Sequence, residues 1–142
     1  MLPETELLQY IHKTAEMGCE GIQAVIEYAE DPGLRTVLKD QMAEYQKLSH
    51  SAAELLHKRG EEPASVGTVA KASAELMSAG KLLLDRSTSK IAEMTIQGNN
   101  MGVSKTLAHL HDYKGQDDRA KDLASRLLAT EQANVQQLQP YL

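Results

Sequence analysis

Residues 91–113 read IAEMTIQGNNMGVSKTLAHLHDY, and the fold of the chain depends on how this stretch is packed. Its apolar side chains recur at helical spacing, which predicts a long helix. Its middle, residues 97–102, holds two glycines and three amide side chains, which are poor helix formers. Because buried amides need hydrogen-bond partners, we expect this helix to meet polar groups of its neighbours.

Length and composition indicate one helical domain over residues 1–142. The chain is 42% hydrophobic and 25% charged, with a net charge of −5 and no run of Lys or Arg. This charge argues against binding to nucleic acid or to an anionic membrane. The first ten residues do not resemble a signal peptide, and no apolar run approaches the ~20 residues that span a bilayer. Cys19 has no second cysteine to pair with, so we expect a cytoplasmic protein.

Four amphipathic patterns predict four long helices, over residues 4–30, 34–59, 87–113 and 117–139, and a short helix over 66–80. The inward-facing residues should be Leu8, Ile11, Ala15, Gly18, Ile22, Val25 and Ala29 in the first helix; Leu34, Leu38, Gln41, Tyr45, Leu48, Ala52 and Leu55 in the second; Ile91, Met94, Met101, Val103, Leu107 and Leu110 in the third; and Ala120, Leu123, Leu127, Glu131, Asn134 and Leu138 in the fourth.

The connections between the helices predict the topology. Short links at 30–33 and 113–117 make two antiparallel hairpins, and some 25 residues join them. The expected fold is therefore an all-α, ferritin-like up-down four-helix bundle with a long crossover that contains a short extra helix. The alternative is one kinked helix over 66–113 whose overhang dimerises. At 1.5 Å per residue it would be about 70 Å long against about 40 Å for the others, so a break between Gly80 and Ser89 is favoured.

Counting from the two hairpin turns brings polar residues of all four helices to one level. Bundles with two metal ions take a Glu from each of two helices and a Glu-x-x-His from each of the others. Hard carboxylate ligands with imidazole suit iron or manganese. The corresponding metal-site hypothesis for this chain uses Glu20, Glu44, Asn100, Glu131 and Asn134.

The ligand pattern is incomplete, however. Glu44 and Glu131 are followed three residues later by Lys47 and Asn134 instead of His, and the third helix offers amides instead of a carboxylate. A buried hydrogen-bonded network that fixes helix register is therefore favoured over a metal site. Considered without the other residues, Glu20 and Glu44 are better explained as part of a solvated helix face than as metal ligands. A third hypothesis is a small ligand held in the space beside Gly18, Gly98 and Gly102.

Three stretches carry a resemblance to a known family: AEMG at 15–18, IAEMTIQGNNMGV at 91–103 and EQANVQQLQPYL at 131–142. They resemble uncharacterised ferritin-like four-helix proteins of Firmicutes. The resemblance implies a ferritin-like bundle from a bacterial cytoplasm. Rubrerythrin-type members of the wider superfamily carry di-iron, a pattern from which this chain departs at Lys47 and Asn134. Spore-coat proteins are more remote ferritin-like bundles, so the analogy implies a structural role.

The function predicted from the sequence is a non-catalytic bundle, without a cofactor, that acts through assembly or partner binding. The chain shows no glycine-rich phosphate loop and no serine nucleophile elbow. A homodimer is expected from the frequency of two-fold assemblies and from the apolar segment 66–84, which exceeds what one bundle needs.

Overall fold

The computed structural model describes residues 2–64 and 85–142 of the chain. The helices are α1 (Glu4–Ile26), α2 (Pro32–Lys58), α3 (Thr88–Asp112) and α4 (Asp118–Leu138), followed by a 3-10 turn at Gln139–Tyr141. The described residues form no β-strand, and their only strand-like feature is an isolated bridge between Leu2 and Tyr113. The all-α four-helix prediction is confirmed. The predicted short helix over 66–80 lies outside the described residues.

Side-chain caps fix where three of the helices begin. Asp31 accepts a hydrogen bond from the backbone N–H of Leu34 at 2.9 Å, and Asp117 accepts one from Arg119 at 2.9 Å. Ser87 is extended, with φ −63° and ψ 155°, and its hydroxyl accepts from the N–H of Lys90. The chain is therefore not helical just before α3, which excludes one continuous helix over 66–113.

Helix α1 ends at Ile26, four residues before the predicted end at 30. The Arg35 guanidinium donates to the carbonyl oxygens of Ile26 and Ala29, at 3.2 and 3.1 Å. These bonds satisfy carbonyls that a helix C-terminus leaves unpaired. Helix α2 begins within the predicted link at 30–33, with Asp31 as its cap and Pro32 as its first residue.

The helix directions follow from contacts at one end of the bundle. Arg59, just after α2, forms ion pairs with Glu4 at the start of α1 and with Asp117 at the start of α4. Tyr10, early in α1, contacts Thr106, late in α3. Helices α2 and α3 therefore run in the same direction, and residues 59–87 start and finish at opposite ends of the bundle. This is the long crossover that the link lengths predict.

Burial confirms the predicted inward faces of α1, α2 and α4, with Leu56 taking the fully buried position predicted for Leu55. The prediction for α3 is confirmed at Ile91, which is fully buried, and was wrong at Met101 and Leu107. Met101 and Leu107 are exposed, and the fully enclosed residues are Ile91, Ala92, Asn99 and Thr106. Beyond Ile91, the buried positions of α3 follow a seven-residue spacing of small and polar side chains, while Met94 and Leu110 pack half-buried against the core.

None of the helices in the described parts of the chain is long and apolar enough to cross a membrane.

Candidate functional site

Polar side chains from three helices meet at the middle of the bundle. The Tyr45 hydroxyl of α2 donates to Oδ1 of Asn99 on α3 at 2.8 Å. The Asn134 amide of α4 donates to the same oxygen at 3.1 Å. Asn99 Nδ2 in turn donates to the carbonyl oxygen of Thr95, 2.9 Å away. We call Tyr45, Asn99 and Asn134 the amide cluster, and both acceptor directions of the Asn99 carbonyl are used within it.

A second group of side chains surrounds the carboxyl of Glu131, which is only 2% exposed. The Thr106 hydroxyl donates to Oε1 of Glu131 at 3.0 Å, and the Tyr10 hydroxyl lies 2.9 Å from the same Thr106 oxygen. Because a hydroxyl has one hydrogen and Thr106 gives it to Glu131, Tyr10 donates to Thr106. We call Tyr10, Thr106 and Glu131 the carboxyl cluster. The two clusters together take side chains from all four helices.

Burial raises the pKa of Glu131 to about 7, and the hydrogen bond from Thr106 offsets only part of this effect. Removal from water disfavours the charged carboxylate, because the protein interior solvates the charge less well than water does. Among the described residues, Glu131 forms no ion pair with Lys, Arg or His. The carboxyl is therefore close to half-protonated at neutral pH, an uncommon state for Glu.

The two tyrosines are held in their protonated form. Burial raises the pKa of Tyr45, and the negative charge of Glu131 raises it further. The pKa of Tyr10 is raised for the same two reasons, again with burial as the larger. Both hydroxyls therefore remain hydrogen-bond donors at physiological pH, which suits the network that they form.

Two glycines make room for the buried polar groups. The Cβ of an alanine at position 18 would lie 2.6 Å from the Tyr45 ring, which packs directly on α1 at this point. An alanine Cβ at position 102 would overlap Oε2 of Glu131 and lie 2.6 Å from its Cδ. Both glycines thus allow the close approach that the short polar contacts need. At Gly98 an added Cβ would meet nothing within 4 Å.

The structure places the five predicted site residues in different surroundings. Glu131 and Asn134 are buried at the centre, while Asn100 is exposed and its neighbour Asn99 takes the inward position. Glu44 lies at the surface, 3.1 Å from Lys47 and 3.5 Å from Arg126, and its pKa is lowered, chiefly by the hydrogen bond from Lys47.

Glu20 is half-buried beside Cys19, and its charge contributes to the raised pKa of that thiol. It belongs to neither cluster. Within the described ranges, no three His, Cys, Asp or Glu side chains come together as a group that could hold a metal ion. The metal-site hypothesis for this ligand set stays a prediction.

The sequence patterns missed Tyr10, Asn99 and Thr106. One signal does point to the last two: Ala92, Asn99, Thr106 and Tyr113 are seven residues apart, and all four are buried. A seven-residue repeat keeps one helix face against its neighbours, so small and polar residues at that spacing indicate an inward polar face. The space beside Gly18 and Gly102, considered for a small ligand, is filled by Tyr45 and Glu131.

No family model matches the chain, and no curated protein matches its sequence. Among solved structures, the chain is similar to the crystal structure of a DUF305 fragment from Deinococcus radiodurans. The TM-score is 0.75 at 14% sequence identity, and the match covers 96% of this chain and 93% of that chain. A likeness at this identity shows a shared helical fold and carries no information on activity.

Proposed function

We propose that this protein is a non-catalytic, ferritin-like bundle that acts by binding another protein chain. The observation that carries the proposal is that the polar groups at its centre bind each other. Tyr45 and Asn134 both donate to Asn99, and Tyr10 donates to Thr106, which donates to Glu131. Such a network fixes the relative register of the four helices.

The ferritin-like assignment is part of this proposal. It is supported by the parallel direction of α2 and α3, which a long crossover requires, and by polar groups at mid-bundle, where that class places its metal ligands. The described centre contributes one carboxylate, Glu131, whereas the two-metal centres of that class use several. The bundle would thus have the helix arrangement of the ferritin-like class, with a hydrogen-bonded network at its centre in place of a two-metal site.

The alternative is a protein that binds iron or manganese through an atypical set of carboxylate and amide ligands, including Glu131 and Asn134. One observation favours it: Glu131 is a buried carboxyl without a compensating cation among the described residues, and a bound metal ion would supply that charge. Two observations oppose it, since Asn100 is exposed and Glu44 is engaged by Lys47 and Arg126.

Metal analysis separates the two functions. The untagged protein is purified without chelator, incubated with ferrous iron or manganese, desalted and analysed for bound metal, beside the variants Glu131→Ala and Glu44→Ala. If the proposal is right, all three samples should contain well under one mole of bound metal per mole of chain. Stoichiometric metal that is lost in Glu131→Ala and kept in Glu44→Ala would overturn the proposal and establish the metal-binding function.

A further inference from the structure

Among the described residues, one part of the outer surface of α3 and α4 carries no charged side chain. Residues 94–104 of α3 and residues 132–141 at the end of α4 contain no Asp, Glu, Lys, Arg or His. Because 25% of the chain is charged, two such runs on adjacent helices are unusual. An open groove of about 360 Å³ lies between them. We call this surface the uncharged face, and its groove is lined by Asn100, Val103, Gln132, Val135, Gln136 and Gln139.

The composition of the uncharged face is that of a protein interface. Val103 and Val135 are half-buried in the groove, and exposed amide side chains surround them. Met101, next to Asn100 on α3, is 61% exposed, a large apolar side chain left in water. Interfaces combine an apolar centre with a polar rim and are depleted of Lys, Glu and Asp at the core. Methionine is suited to such surfaces because its side chain adapts its shape.

We infer that a second copy of this chain docks on the uncharged face and forms a two-fold symmetric dimer. The inference rests on the proposed function and names the partner. Two copies that each carry a net charge of −5 repel one another, and this repulsion is weakest where neither copy presents a carboxylate. In a two-fold dimer the face meets itself, and amides both donate and accept hydrogen bonds, so the same residues complement their own copies.

Charge also distinguishes this partner from others. A basic partner would be recognised by carboxylates and an acidic one by Lys or Arg, and residues 94–104 and 132–141 provide neither. An uncharged face on a charged protein is matched best by an equally uncharged one. A second copy supplies that match without any further adaptation.

The test introduces charge into the face without changing its shape. Asn100→Asp with Gln136→Glu replaces two exposed amides by carboxylates, and the control, Gln23→Glu with Gln46→Glu, makes the same change at exposed positions of α1 and α2. Mass is measured by light scattering and sedimentation over a concentration series. Wild type and control should have twice the 15.6 kDa of one chain. The face variant should be monomeric, with dimerisation weakened by at least about a hundredfold, because the carboxylates added to one copy then lie in the same interface as those of the other.

Circular dichroism establishes that each variant is folded. High salt should partly restore the dimer of the face variant, because it screens the repulsion between the added carboxylates. A wild type that stays monomeric at high concentration, or a dimer that the face variant leaves intact, would overturn the inference. If the protein binds no metal and stays monomeric, self-association is refuted. The proposed function then stands, with a different protein as the partner. Metal bound through Glu131 would refute the proposed function whatever the mass.

Discussion

Replacing Glu131 by Gln should make the protein more stable at neutral and alkaline pH. The carboxyl is 2% exposed, and burial raises its pKa from 4.5 to about 7. Folding therefore favours the protonated form. This contribution is fully present below pH 4.5, and it is lost as the pH rises from there to about 7.

The size of the effect follows from the two pKa values. A difference of about 2.5 pH units at about 1.4 kcal/mol each amounts to about 3.5 kcal/mol, most of which is reached by about pH 8. Gln has the same shape and stays neutral, and its Oε1 can still accept the hydrogen bond from Thr106. We therefore expect Glu131→Gln to be more stable than wild type by up to about 3 kcal/mol at about pH 8, and similar to it near pH 4.5.

The assay is urea unfolding followed by far-ultraviolet circular dichroism across this pH range, since the chain has no Trp to report by fluorescence. The matched control is Glu44→Gln, a half-exposed surface carboxylate whose pKa is lowered by Lys47 and Arg126. Its contribution has the opposite sign: it is present above the ordinary pKa of Glu and is lost as the pH falls. The reasoning would be refuted if Glu131→Gln kept the pH dependence of wild type, because the proton would then belong to another group.

Three further predictions concern packing, hydrogen bonding and reactivity. Gly102→Ala should destabilise the protein by about 1–3 kcal/mol, because its Cβ overlaps the Glu131 carboxyl, whereas Gly98→Ala should stabilise it by up to about 1 kcal/mol through better helix propensity. Urea midpoints check both, and equal effects at the two positions would contradict the packing argument. Tyr45→Phe should cost about 1 kcal/mol, since it removes one of the two donors to Asn99; thermal melts that coincide with wild type would show that the bond contributes nothing. Burial raises the pKa of Cys19 from 9.0 to about 11, so the folded protein should react with iodoacetamide at about pH 8 roughly a hundredfold more slowly than the urea-unfolded chain, and equal rates would argue against the burial.

Different residues of α3 serve the dimer and the buried polar network. The inward polar face of α3 holds the helices in register through Asn99 and Thr106, and its outward side carries the exposed Met101. A substitution inside the bundle should change the free energy of unfolding. As long as the variant still folds, it should leave the dissociation constant of the dimer unchanged. A substitution on the uncharged face should do the reverse, so the two roles of α3 can be measured independently.

The sequence alone determined most of the architecture. The inward faces of α1, α2 and α4 were predictable because large aliphatic side chains occupy them at regular spacing, and burying such side chains dominates the free energy of folding. The long link between two tight hairpins required a crossover. The buried positions of Glu131 and Asn134 followed from the same periodicity, since both fall on the apolar face of α4.

Only the tertiary structure decided the rest, and α3 shows why. Apart from Ile91, its buried residues are small or polar, so hydrophobicity pointed instead to Met101 and Leu107, which are exposed. Counting levels from a turn selected Asn100, but its neighbour Asn99 lies at nearly the same level and points about 100° away around the helix. Which amide faces inward is settled by the groups that it meets, here Tyr45 and Asn134. A partner that lies 35 to 54 residues away along the chain leaves no local signal in the sequence.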